Sequence, residues 1–233
     1  MTTPALLAIS HGTSSPAGQA AVSALVEAVA QRLPDVTVRL GHVDVQPPDV
    51  AASLDALPEN QPVALVPLLL SAGYHVHVDL REQTADHTDV TITSALGPDE
   101  RLVDVLVARL AAIDDPDAGI VLAVAGSSDD RANEDCRATA RALAERLGRE
   151  VSVGFLAAAE PRLGAAVAAA AENGEKKVVV ANYLLAPGYF HDLAVRVSAG
   201  SPVARPLLDD DEPPAPLVDL VVDRYRTAVT SHV

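Results

Sequence analysis

The stretch Leu7-Ala8-Ile9-Ser10-His11-Gly12-Thr13-Ser14-Ser15 is echoed further along by Leu122-Ala123-Val124-Ala125-Gly126-Ser127-Ser128. A second stretch, Leu68-Leu69-Leu70-Ser71-Ala72-Gly73-Tyr74-His75, is echoed by Tyr183-Leu184-Leu185-Ala186-Pro187-Gly188-Tyr189-Phe190. Read at one common offset, His11 faces Gly126 and His75 faces Phe190. The chain therefore reads as a duplication. Both halves keep their apolar strands and glycines, and only the first keeps the two imidazoles. One fold twice, with chemistry in the first copy, is the expectation.

Strand and helix signals alternate throughout. In the first half, Ala5–Ser10, Val36–Val43, Val63–Leu70 and Val90–Ser94 read as strands. Helices are expected from Pro16 to the stop at Pro34, over Asp49–Leu57, near His77–Arg81 and over Asp99–Ile113. Ser14 or Ser15 is placed to cap the first helix. The pattern restarts with strands at Ile120–Ala125, Val151–Leu156 and Lys177–Leu185. Its helices are Asp130–Leu147, Pro161–Glu172, Phe190–Val197 and Leu217–Val229. The β-α-β-α order predicts an α/β fold of two similar lobes, each a parallel sheet flanked by helices. The lobes are expected at 1–114 and 118–233, with a hinge at Asp114-Asp115-Pro116-Asp117.

Composition narrows the function. Hydrophobic residues make up 49%, yet aromatics are only 3% and Trp is absent, so the core must be Ala, Val and Leu. That suits parallel sheets covered on both faces. With 17 Lys and Arg against 32 Asp and Glu, the net charge is −15, which argues against a nucleic-acid partner or an anionic membrane surface. A single Cys136 allows no intrachain disulfide and no Cys-x-x-Cys site. The chain opens directly into an apolar strand and holds no apolar run of membrane-spanning length, so a cytoplasmic protein is expected.

In open α/β sheets, ligands bind beyond the carboxyl ends of the strands. His11 follows the first strand and His75 follows the Val63–Leu70 strand, so both belong to one edge of the first lobe. Two neutral imidazoles suit a late first-row divalent metal, and they also accept protons near neutral pH. His77 and Asp44 lie where they can add a ligand at the same edge. Gly126, Ser127, Gly188 and Tyr189 are expected to form the facing wall. His42 lies inside a strand and reads as packing, His87 and His232 as surface, and His191 as a candidate substrate contact.

Ile9-Ser10-His11-Gly12-Thr13-Ser14, together with Gly73-Tyr74-His75-Val76-His77-Val78-Asp79, resembles the sirohydrochlorin chelatase (CbiX/SirB) family of class II tetrapyrrole chelatases. The resemblance spans both halves, because long members of that family are fused duplications. It implies two facing α/β lobes and ATP-independent insertion of Fe2+ or Co2+ into sirohydrochlorin, on the routes to sirohaem or cobalamin. It implies His11 and His75 as catalytic residues and metal ligands. Asp44 stands where the family usually has Glu, and the family's basic residue after His-Gly is missing. No cofactor is expected to stay bound, since the metal enters as a substrate.

Ser10, Gly12, Thr13, Ser14, Gly73, Tyr74, Gly126, Ser127 and Tyr189 are the expected substrate-binding residues. Backbone N–H groups at Gly12–Ser14 and Gly126–Ser128, with Arg81, Arg131 and Arg196, are the expected anchors for ring carboxylates. Iron is favoured over cobalt because the chain lacks the His-rich tail of some cobalt-linked relatives. A monomer is expected, since the second lobe supplies the partner that a short form finds by dimerising. A metal or tetrapyrrole carrier is the non-enzyme alternative. A histidine phosphatase is disfavoured because Ser10 stands where an Arg would precede the histidine.

Overall fold

Ala5–Ser10 forms β1, buried along its whole length, which is why this run carries no polar residue before Ser10. The computed structural model describes residues 3–71, 80–85, 87, 89–113, 115–172 and 177–230. β1 lies between β2 (Val38–His42) and β3 (Val63–Pro67), and β4 (Val90–Ile92) closes the sheet in the order β2-β1-β3-β4. The second sheet places β5 (Gly119–Val124) between β6 (Val151–Phe155) and β7 (Val178–Tyr183). All pairings are parallel. The strands end two or three residues earlier than expected at Leu70 and Ser94, where the backbone leaves the ladder for the loops above it.

Helices cover both faces of each sheet. α1 (Pro16–Arg32) is capped by Ser15, whose side chain accepts from Gly18 N, and buries Ala21, Val22, Leu25, Val26 and Val29. α2 is Val50–Asp55, α3 is Glu100–Leu110, α4 is Asp130–Leu147 and α5 is Leu163–Glu172. α6 (Tyr189–Val197) and α7 (Ala215–Thr230) complete the chain. Residues 80–83 are also helical, and the start of that expected helix lies outside the described residues. Along β1, Ala5, Leu7 and Ile9 face α2, whereas Leu6 and Ala8 face a central layer shared with β5 residues Ile120, Leu122 and Val124. The alternation of strand side chains thus builds one core between the two sheets and two smaller cores outside them.

The lobes exchange their last helices. α3, at the end of the first copy, packs on β7 and α4 of the second. α7, at the end of the second copy, packs on β3 and α1 of the first. Each is fastened by an arginine. Arg109 of α3 lies 2.7 Å from the Asp209 carboxylate and donates to Leu207 O at 3.1 Å. Arg224 of α7 donates to Ala95 O and Leu96 O, both at 3.0 Å. A cut at 114–118 therefore separates the two sheets but not the two packed units, since residues 215–230 lie with the first sheet.

Candidate active site

A cleft of about 590 Å³ opens at the carboxyl ends of β1, β3, β5 and β7. That size falls within the range of small-molecule sites. Ser10, His11, Gly12, Thr13 and Ser14 form one wall, and Gly126, Ser127, Gly188, Tyr189 and Phe190 form the facing one. Val22 of α1, Cys136 of α4 and Tyr183 of β7 also line it. The Tyr183 hydroxyl crosses between the lobes and donates to Leu70 O at 3.0 Å. Burial raises the pKa of the Tyr183 phenol and pushes the Cys136 thiol up to about 12, so both stay protonated at neutral pH.

The wall around His11 is built from the tips of β1 and β2. In their parallel register, Ser10 sits opposite His42. Both are buried, at 4% and 3% exposure. Ser10 Oγ is 2.8 Å from His42 Nδ1 and accepts from Gly12 N at 3.2 Å. Burial lowers the His42 pKa, which keeps the ring neutral. His11 follows, exposed, and its carbonyl accepts from Asp44 N at 3.1 Å. Gly12 turns with φ +90°, and a Cβ on it would come within 2.0 Å of Asp44 O. Only glycine allows that approach.

The second lobe repeats this backbone with other side chains. Gly126 has φ +85°, and its Cβ position would lie 2.0 Å from Ala157 O. The true counterpart of Gly126 is therefore Gly12, and His11 corresponds to Ala125. This corrects the pairing expected from a uniform offset. The segment between β1 and β2 is one residue longer in the first copy, and that between β2 and β3 is two residues shorter, so no single offset holds along the chain. The β7 register does keep Leu68 opposite Tyr183 in the repeat, and with it the pairing of His75 with Phe190 along the sequence.

Of the expected site residues, Ser10, His11, Gly12, Thr13, Ser14, Gly126, Ser127 and Tyr189 meet in the cleft. His75, His77, Gly73 and Tyr74 lie outside the described residues. Asp44 adjoins His11 through its backbone. Its side chain is exposed, and Oδ1 accepts from Val45 N at 2.7 Å. Among the described residues, no group of three His, Cys, Asp or Glu side chains could hold a metal ion. His191 does not line the cleft. It packs back on β7, with Nδ1 2.8 Å from Asn182 Nδ2, which removes it as a substrate contact.

The expected N–H cradles are half occupied. Gly12 N is bonded to Ser10, Thr13 N points at Gln46 Oε1 at 3.4 Å, and Ser127 N donates to Asn133 Oδ1 at 2.9 Å. Gln19 and Asn133 brace the matching turns by donating to Thr13 O and Ser127 O, both at 2.8 Å. Among the described residues, Ser14, Gly126 and Ser128 retain N–H groups in these loops without a protein acceptor. Arg81, Arg131 and Arg196 are exposed, and none of them lines the cleft. No described lining residue is Lys, Arg, Asp or Glu. His42 is buried, as its place inside a strand implies, and as the last residue of β2 it also meets Ser10, the last residue of the adjacent β1.

These features define a two-lobed α/β protein with a histidine-bearing cleft between its sheets. The family model described as CbiX matches residues 5–113 and again 119–198. A sirohydrochlorin ferrochelatase of Priestia megaterium is 30% identical over 196 residues, covering 79% of this chain and 74% of that protein. A sirohydrochlorin cobaltochelatase of Methanosarcina acetivorans is 29% identical over 120 residues, covering 45% of this chain and 92% of its own length. Bacillus subtilis SirB, solved with Fe3+, superposes with a TM-score of 0.80 at 22% identity, covering 100% of this chain and 98% of SirB. The chain belongs to the CbiX family.

Proposed function

We propose that this protein inserts a divalent metal, Fe2+ ahead of Co2+, into sirohydrochlorin without ATP. The observation that carries the reading is the exposed imidazole of His11 on the wall of a cleft between two parallel sheets, with no Lys, Arg, Asp or Glu among its described lining residues. The family membership and the activities named for the Priestia and Methanosarcina relatives support it.

In this reading His11 and His75 hold the incoming metal, with His77 or Asp44 completing its shell. Nitrogen ligands of this kind bind Fe2+ or Co2+ yet can release the ion to a tetrapyrrole. As the metal enters, the inner pyrrole protons leave, and an imidazole not occupied by metal, or water beside it, accepts them. The macrocycle face lies against apolar wall, including Tyr189 and Phe190, whose rings meet edge to face at 5.6 Å. The described lining, which holds no Lys, Arg, Asp or Glu, receives the ring and leaves its carboxylates at the solvent edge. In this reading the N–H groups of Ser14 and Gly126, which have no protein acceptor among the described residues, donate to them. One chain supplies both walls, so the monomer is the working unit.

Anaerobic incubation with sirohydrochlorin and each metal tests the proposal through the absorption of metallated product. Many turnovers per chain, faster with Fe2+ than with Co2+, are expected. Saturation at one equivalent identifies a carrier and overturns the reading.

A further inference from the structure

The two β-strand tips share a backbone and differ in one buried pair. In the first lobe the last residues of β1 and β2 are Ser10 and His42, and in the second lobe they are Val124 and Phe155. A buried hydroxyl and imidazole replace two apolar side chains that would be easier to bury. They are not needed to form the turn, because Gly126 reaches φ +85° beside Val124 without them. Nor do they hold β2, since the carbonyl on each tip is anchored alike. His11 O accepts from Asp44 N at 3.1 Å, and Ala125 O accepts from Ala157 N at 2.8 Å.

The difference lies at the other end of the same peptide unit. Gly12 N donates to Ser10 Oγ, whereas Gly126 N has no acceptor among the described residues. The peptide joining His11 to Gly12 is therefore clamped at both its C=O and its N–H, and the matching unit in the second lobe at its C=O alone. That plane fixes ψ of His11 and with it the direction from which the imidazole leaves the wall. His42 completes the clamp. Ser10 Oγ lies 2.8 Å from His42 Nδ1, and which of the two donates follows the His42 tautomer. In either tautomer the oxygen keeps a lone pair for Gly12 N–H.

We propose that Ser10 and His42 form a positioning pair for His11, with His42 acting through Ser10 on the peptide that carries the metal-handling imidazole. The proposal rests on the chelatase reading for its kinetic consequence, not for its geometric one.

The test transplants the second lobe's pair into the first, as Ser10→Val with His42→Phe. Replacing both partners of a buried hydrogen bond by apolar groups is near neutral for stability, so Tm should hold. The kcat for insertion should fall roughly 10- to 100-fold, as for a misplaced catalytic group. KM for sirohydrochlorin should stay within about twofold. The His11 imidazole 15N signals of the metal-free protein should shift or broaden, and this readout needs no turnover. His42→Asn, which offers a polar amide near the Nδ1 position, should recover most of kcat. Ser10→Ala removes the Gly12 acceptor with less change of volume and should match the transplant in kcat and in the His11 spectrum. A folded transplant with parental kcat and unmoved His11 signals overturns the pair's role. So does a Ser10→Ala protein with both readouts unchanged, if the transplant fails to fold. Absence of turnover in the parent chain instead overturns the chelatase reading, and the His11 spectrum still decides the positioning role.

Discussion

The tips of β1 and β5 have the same trace and different chemistry. Each turns at a glycine with φ near +90°, beneath a carbonyl that leaves no room for a Cβ. One then presents Ser10, His11 and a neutral His42, and the other Val124, Ala125 and Phe155. The glycine-set backbone geometry is the same with either set of side chains. The two edges differ in the polar groups buried behind the exposed position as much as in the imidazole itself.

The exchanged helices extend the comparison to the fastening of the lobes. Arg109 and Asp209 are nearly enclosed, with side chains 10% and 6% exposed, whereas Arg224 is 22% exposed. Arg109→Met should therefore cost more than Arg224→Met. Removing one member of a buried ion pair costs about 3 kcal/mol or more. The low end applies here because Arg205 still lies 2.7 Å from the Asp209 carboxylate. Arg224→Met removes two charged hydrogen bonds to carbonyls and a 3.5 Å ion pair with Asp99 in a wetter place, where Asp99 keeps Arg101 at 2.9 Å, and should cost about 2 kcal/mol. Denaturant unfolding of both variants measures the difference. Equal losses would mean that the two fasteners are equivalent.

A smaller effect separates the next residues of the two copies. Val45 and Ala158 both occupy the left-handed region, at φ 66° and 55°. A β-branched residue there is strained. Val45 is nonetheless 57% exposed and lines the cleft, so its apolar surface is kept at a local cost. Val45→Asn should raise stability by about 1 kcal/mol, or roughly 2–4 °C in Tm. Ala158→Asn should raise it less. Thermal unfolding reads both, and a lower Tm for Val45→Asn would refute the strain.

Much of this architecture was legible in the residues. Buried apolar runs set β1, β3, β5 and β7, and Ser15, Asp49, Asp99 and Asp129 cap helices among the described residues. His11 at the mouth followed from its place after β1. The exchange of α3 and α7 was not legible, because an amphipathic face states that a helix packs and not against which sheet. The one-residue slip that pairs His11 with Ala125 was hidden because Ala125 and Gly126 are both small, and φ is not written in the sequence. The burial of His42 is legible from its place in β2, whereas its contact with Ser10 is not, because a hydrogen bond between strand ends needs the sheet order β2-β1-β3 to be known. His191 fell near the right loop, but the first turn of α6 aims it at Asn182.

The most direct test of the account compares His11→Ala with the parent chain in multiple-turnover metal insertion under anaerobic conditions, with Tm recorded alongside. Since His11 is exposed and makes no side-chain hydrogen bond among the described residues, Tm should be unchanged. The insertion rate should fall by about 100-fold or more. A parental rate in the folded variant would contradict the assignment of the chemistry to the first lobe's edge.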